Sequence, residues 1–401
     1  MLNLEQIKDL AVKSPTKIVL LVIDGVGGLP RPDTGKTELE TARTPNLDSL
    51  ASRGTCGMID PVSPGITPGS APGHLGVFGY DPLKYSVGRG ILEVLGIDFD
   101  IDRKDVAARG NFCTITRDGL VTDRRAGRIS TEKNSELCRV LSDIELSGVE
   151  LHVIPVTEHR FALVFRGDKL SGEVSDSDPQ QTGVAPKEMV ALSPSAQKTA
   201  ALANEFITRA KEALAEHHPA NMVLLRGFSQ YPDFPSMDDI YKLNAAAIAA
   251  YPMYRGLARL VGMTVLNTGA GIDDEFKTLS QNYADHDFFF IHVKKTDSAG
   301  EDGDFDAKVR VLEEVDSQIP QLTGLEPDVI VVSGDHSTPA VLKAHSWHPV
   351  PVILYSKWCR TDNVKEFSET ACASGALGRF PAVELMPLAM ANALKLAKYG
   401  A

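Results

Sequence analysis

Four short runs of almost continuous apolar residues, 17–23, 288–293, 328–332 and 350–355, set the strongest limit on what this chain can fold into. A strand with one wet face alternates polar and apolar side chains, whereas a run without alternation is buried on both faces. Bounded by polar loops and interleaved with helical stretches such as 44–53, the runs predict an α/β fold, a mainly parallel sheet with helices on both faces. One run lies near the start and three near the end, so both ends of the 401-residue chain build the sheet. That length exceeds what one hydrophobic core usually organises. The middle has strand-like runs of its own at 160–165 and 222–225 and a helical stretch at 195–215. The expected organisation is a discontinuous domain, 1–88 and 268–401, with a smaller α/β domain, 89–267, inserted between glycine-containing hinges at 86–90 and 267–271. A closing amphipathic helix is predicted over 383–398.

The first three runs each end in a polar cluster: Asp24-Gly25, then 294–303, then Gly334-Asp335-His336. In open α/β sheets ligands bind outside the carboxyl ends of the strands, so clusters far apart in sequence can share one crevice. Asp24 is followed by glycines that allow a tight turn; taken alone, it is equally well the cap of the next helix. Ser70 sits in Thr67-Pro68-Gly69-Ser70-Ala71-Pro72-Gly73-His74, a segment that forces an irregular, exposed backbone. No GxSxG elbow surrounds it, which favours activation of Ser70 by a metal over activation by a His base. Asp297 and Glu301 are four residues apart and share one face if the segment turns helically. Asp335, His336 and His345 are three metal-capable side chains within a short stretch. The ligand count supports two sites, one from Asp24, Ser70, Asp335 and His336, the other from Asp297, Glu301 and His345. Two divalent ions can deprotonate a serine and neutralise phosphoryl oxygens, so the chemistry expected is phosphoryl transfer through a phosphoserine.

Charge and cysteine content narrow the class further. Lys plus Arg is 41 against 53 Asp plus Glu, a net charge of −12, and no long basic run offers a nucleic-acid footprint. The five cysteines are scattered and form no CxxC pair, which fits reduced thiols in a cytoplasm. No signal-like start and no apolar run of roughly 18 residues is present, so no membrane partner is expected. A homo-oligomer is compatible with the sequence, which does not set the oligomeric state.

At these residues the chain resembles the cofactor-independent phosphoglycerate mutases, archaeal-type branch, of the alkaline phosphatase superfamily. The matching pieces are VIDGVGG, TARTPNLDSLA, TPGS with FGYDP, GRGILEVLGI, GNFCTI with DRRAGRI, VKKTDSAGEDGD, and GDHSTP followed by HSWHPVPVIL, in this order along nearly the whole chain. The resemblance implies an alkaline-phosphatase-like fold and interconversion of 3-phosphoglycerate and 2-phosphoglycerate without 2,3-bisphosphoglycerate, a step of glycolysis and gluconeogenesis. It implies Ser70 as the phosphorylated nucleophile, Asp24, Asp335 and His336 as ligands of the metal that activates it, and Asp297 and His345 as ligands of the other. Manganese, magnesium or zinc suits such an O/N ligand set. Two positions depart from the family pattern: Glu301 stands where many members have His, and Ala71 where an acidic residue follows the nucleophile. Glu at 301 shifts metal preference toward manganese or magnesium.

A mutase must also hold the glycerate while its attachment point changes, which calls for Arg forks on carboxylate and phosphate. The resemblance points to the inserted domain and to Asp123, Arg124, Arg125 and Arg128, then Arg160 and Arg255; Lys294, opening the second cluster, is a further substrate-binding candidate. Closure of that domain over the serine is expected to exclude water. Two readings compete: another phosphoryl-transfer enzyme of the same superfamily, and a metal-binding protein without catalytic activity.

Overall fold

The computed structural model describes residues 3–97 and 99–400. The chain divides into two compact units, 1–86 with 234–401, and 87–233.

In the larger unit an eight-stranded sheet has the order Gly378–Pro381, Thr55–Asp60, Val350–Ser356, Val329–Ser333, Ile18–Ile23, Phe288–Val293, Ala245–Ala249, Thr264–Leu266. Ile18–Ile23 is central and runs parallel to both neighbours, Ile18 facing Phe288 on one side and Val329 on the other. Every residue of Ile18–Ile23, Phe288–Val293 and Val329–Ser333 is buried, as uninterrupted apolarity requires. The run 350–355 is a strand too, but the expectation that it is parallel is corrected: Val350–Ser356 is antiparallel to Val329–Ser333 and to Thr55–Asp60. A parallel return needs a crossover, usually helical. The connection 334–349 instead carries polar ligand-type side chains and forms no helix, so the chain doubles back.

The second domain boundary is also corrected. Residues 234–267 belong to the larger unit, because Ala245–Ala249 pairs with Phe288–Val293 and Thr264–Leu266 with Ala245–Ala249. The closing helix is shorter than predicted, Leu385–Asn392 after a turn at Ala382–Glu384. Beyond it the backbone leaves the helix to bond residues 10–12, through Val12 N to Lys395 O (2.9 Å) and Ala397 N to Leu10 O (2.7 Å).

The smaller unit is built on an antiparallel sheet in which Val106–Ile115 pairs with Arg160–Arg166, Met222–Gln230 and Val121–Asp123. Helices Thr131–Ser142 and Gln197–Ala213 contribute Leu137, Leu141, Ala203 and Phe206 to a core shared with Phe112, Phe161 and Phe165. Among the described residues no helix is long and apolar enough to cross a membrane.

Candidate metal centre and arginine cavity

Asp24, Lys294 and Asp335-His336 follow three strands that are neighbours in the sheet, so backbone topology alone brings them together. Gly25 makes the turn at φ +66°; a Cβ there would lie 2.5 Å from Thr338 Oγ1 and 3.0 Å from Asp297 Cα, so only glycine lets these loops close up. Asp297 and Glu301 both lie on helix Lys295–Asp302. Ser70 is the first residue of helix Ser70–Val77, where the unpaired backbone N–H groups favour an anion. Gly73 holds that helix against the Asp335 backbone, since a Cβ would meet Asp335 O at 2.2 Å.

Side-chain atoms converge in two sets, each within 4.8 Å: Asp24, Asp335 and His336, and Asp297, His336 and His345. His336 Nε2 is 3.3 Å from Asp24 Oδ1, 3.2 Å from Asp335 Oδ2 and 3.4 Å from Ser70 Oγ. The His336 and His345 rings stack at 3.6 Å, and His345 Nε2 is 3.4 Å from Asp297 Oδ1. His336 therefore belongs to both sets, while Glu301, with a side chain 55% exposed, stands at the rim 3.6 Å from His345 Nε2. Asp24 Oδ1 and Asp335 Oδ2 are buried and have no hydrogen-bond partner among the described residues. Buried carboxylate lone pairs of that kind fit a cation.

Electrostatics divides the carboxylates. Burial drives Asp335 up to about 7, reinforced by the Asp24 charge. Burial acts on Asp24 too, but the His292 hydrogen bond and the charges of His292, His336 and Lys294 hold it well below the usual range. Burial likewise opposes ionisation of Asp297, yet its bond to His345 keeps it low, and that bond carries His345 up to about 9 against the pull of burial.

Four partners in this cluster, His292, Tyr254, His74 and Thr338, have no role from sequence; Lys294, a substrate-binding candidate, joins them. His292 Nε2 is 3.1 Å from Asp24 Oδ2, Tyr254 donates its hydroxyl to the same oxygen, and the two rings stack at 3.6 Å. His74 Nδ1 bonds Ser70 O at 2.8 Å and lies 3.0 Å from Asp335 Oδ2. Thr338 Oγ1 donates to Asp297 Oδ1 at 2.6 Å and is 2.9 Å from His336 Nδ1. Lys294 Nζ lies 3.3 Å from Asp24 Oδ2 and also donates to Asp297. Despite burial, those two carboxylates raise its pKa and keep it charged.

The smaller unit holds a cavity of about 280 Å³ lined by seven arginines, Arg89, Arg109, Arg124, Arg125, Arg128, Arg160 and Arg226, with Asn111, Glu158 and His159. Four of the arginines expected from sequence are here; Arg255 is not, since it lies on helix Pro252–Leu260 of the larger unit. Of the others, Arg89 opens helix Arg89–Gly96, and strand register brings in the rest: Arg109 faces Arg226, and Asn111 faces Arg160. Buried Asp178 takes Arg124 bidentately, Nε to Oδ1 at 2.9 Å and Nη2 to Oδ2 at 2.6 Å, with Arg226 Nη1 at 3.5 Å. Asp123 spends both oxygens on the loop, accepting from Arg125 N (2.8 Å) and Gly127 N (2.6 Å). The loop runs through positive φ at Ala126 (47°), Gly127 (64°) and Arg128 (53°), which displays Arg125 and Arg128. So many confined guanidinium groups suit a ligand with more than one anionic group.

Known proteins share this architecture. The family model described as 2,3-bisphosphoglycerate-independent phosphoglycerate mutase matches residues 51–221. A curated protein of Thermosipho melanesiensis, named "Probable 2,3-bisphosphoglycerate-independent phosphoglycerate mutase", is 51% identical, covering 100% of both chains. A Deinococcus radiodurans protein of the same name is 52% identical over 99% of each. Among solved structures, a Pyrococcus horikoshii protein superposes with TM-score 0.84 at 30% identity, covering 96% of this chain and 99% of that one. The cofactor-independent phosphoglycerate mutase of Thermoplasma acidophilum superposes with TM-score 0.73 at 31% identity, covering 94% and 100%. With half its residues shared over full length, this chain belongs to the family of 2,3-bisphosphoglycerate-independent phosphoglycerate mutases.

Proposed function

We propose that the protein interconverts 3-phosphoglycerate and 2-phosphoglycerate without 2,3-bisphosphoglycerate, passing the phosphoryl group through Ser70. The observation that carries this reading is Ser70 Oγ at 3.4 Å from His336 Nε2, the nitrogen flanked by the partnerless carboxylate oxygens of Asp24 and Asp335. Two divalent cations, manganese, magnesium or zinc, one held by Asp24, Asp335 and His336 and the other by Asp297 and His345 with Glu301 at the rim, would supply charge neutralisation and acidify the serine hydroxyl. The chain's own groups do the rest. Ser70 Oγ attacks phosphorus as the bond to the glycerate oxygen breaks, and the resulting glycerate takes a proton at that oxygen. The other glycerate hydroxyl then attacks the phosphoserine and loses its proton as Ser70 is released. Lys294 and the first turn of helix Ser70–Val77 supply positive charge beside the nucleophile.

In the smaller unit the arginine cavity binds the anionic glycerate, with Arg124 held by Asp178 and Arg125 and Arg128 presented by the loop that Asp123 ties. Return of the phosphoryl group to glycerate rather than water is what makes the reaction a mutase. Such a step belongs to glycolysis and gluconeogenesis, and a cytoplasmic location suits it. The test is Ser70→Ala: isomerase turnover is abolished while manganese binding by calorimetry and the unfolding midpoint are retained. Turnover persisting in that variant would remove Ser70 from the mechanism.

A further inference from the structure

The arginines of the cavity are all donors, which matches the phosphate and carboxylate oxygens of a phosphoglycerate but leaves its hydroxyl unaddressed. Three other lining residues carry acceptors: Glu158, whose carboxylate is partly exposed, and Asn111 and His159, each with an acceptor atom left unused. Asn111 Oδ1 and His159 Nδ1 are buried, and neither has a hydrogen-bond partner among the described residues; the residues are only 9% and 4% exposed. Neither is an accident of a loose surface. Asn111 sits in the middle of strand Val106–Ile115, opposite Arg160, and the His159 carbonyl is tied to Phe112 N at 2.8 Å. Burial and the neighbouring Arg160 cation keep the imidazole neutral despite the Glu158 carboxylate, whose Oε2 lies 3.7 Å from Nδ1, beyond a hydrogen bond; the tautomer with its proton on Nε2 offers Nδ1 as an acceptor.

A buried acceptor left without a donor costs free energy, and native proteins retain few of them. Anions cannot satisfy these two, because phosphate and carboxylate oxygens are acceptors themselves. What satisfies them is a ligand O–H. We propose that Asn111 Oδ1 and His159 Nδ1 read the hydroxyl groups of the substrate and are the residues that select a hydroxylated phosphocarboxylate over its deoxy counterpart. This rests on the mutase reading above. It also accounts for the number: a phosphoglycerate has one hydroxyl, but the glycerate left when the phosphoryl group is on Ser70 has two, one for each acceptor. Each acceptor then holds one hydroxyl of the glycerate at the stage when no covalent bond does.

The test uses the full-length, manganese-loaded protein carrying Ser70→Ala so that bound ligand is not turned over. Calorimetry gives the dissociation constants of 3-phosphoglycerate and of 3-phosphooxypropanoate, the same molecule without its hydroxyl. The expected preference for the hydroxylated ligand is about tenfold to hundredfold. Asn111→Leu and, independently, His159→Leu each reduce that preference at least fivefold by weakening 3-phosphoglycerate alone, with the deoxy ligand unchanged within twofold. His159→Asn, which keeps an acceptor near the Nδ1 position, retains most of it. Equal binding of the two ligands before substitution, or equal weakening of both by the Leu variants, overturns the hydroxyl assignment and leaves the mutase reading standing. Failure of 3-phosphoglycerate to bind at all, or Arg124→Ala leaving its binding unchanged, overturns the mutase reading of the cavity and the assignment with it.

Discussion

Replacing Lys308 by Met should destabilise the larger unit and loosen the metal centre together, although Lys308 contributes to neither donor set. Its side chain is fully buried on helix Phe305–Thr323, and Nζ donates to Gly27 O at 3.0 Å and Thr338 O at 2.8 Å. Those carbonyls belong to the loops that follow Asp24 and His336, so one ammonium group holds both. Glu38 Oε1, 4.0 Å from Nζ, accepts from Ala340 N on the second loop, and Glu369 takes Gly28 N and Thr37 Oγ1. Met keeps the length of the side chain and removes the charge. Two charge-assisted hydrogen bonds are lost at about 1.5–3 kcal/mol each, and Glu38 becomes an uncompensated buried carboxylate. Breaking a buried pair from one side costs about 3–5 kcal/mol, the range expected here. Trp347 and Trp358, the chain's two tryptophans, both lie in the larger unit, so fluorescence during urea unfolding reports on it alone. Manganese affinity should fall about tenfold to a hundredfold, as when groups orienting ligands are removed. Adding Glu38→Gln removes the stranded charge and should restore about half the lost stability. A loss below about 1 kcal/mol for Lys308→Met, or a double variant as unstable as the sum of the two single variants, would refute the argument.

Asp178→Asn releases Arg124 and Arg226 from their shared carboxylate, so KM for 3-phosphoglycerate should rise about tenfold with kcat changed less than threefold in steady-state assays; an effect on kcat alone would contradict a positioning role. Glu275 is 4% exposed, Oε2 has no partner among the described residues, and burial lifts its pKa to about 8. Its folded pKa is raised above the unfolded value of 4.5, so the penalty is absent below that pH and grows as pH climbs toward 8. Glu275→Gln should therefore be neutral at pH 4 and stabilising by roughly 5 kcal/mol above pH 8, which urea midpoints across pH will check.

The sheet's inner strands and the polar clusters at their carboxyl ends are legible because they rest on signals a single sequence carries. Runs such as 288–293 lack alternation, and Asp335-His336 follows its strand almost directly. What escaped depends on pairing. Arg109 and Arg226 are far apart in sequence and meet only because their strands are in register. His292 lies inside an apolar run, where a lone histidine reads as core filling, yet its ring bonds Asp24. The boundary near 267 failed on Ala245–Ala249, an alanine-rich stretch whose propensity favours helix while its position between two strands makes it sheet. Glu301 and Asp297 share helix Lys295–Asp302, but the helix leaves Glu301 at the rim while His336 reaches both donor sets.

The most direct test of the account is the product balance of the manganese-reconstituted protein supplied with 3-phosphoglycerate and no 2,3-bisphosphoglycerate, with 2-phosphoglycerate and free phosphate counted in parallel. The account predicts isomer formation with little phosphate release, lost on chelation and in Ser70→Ala. Phosphate release without 2-phosphoglycerate would make the protein a phosphatase and contradict it.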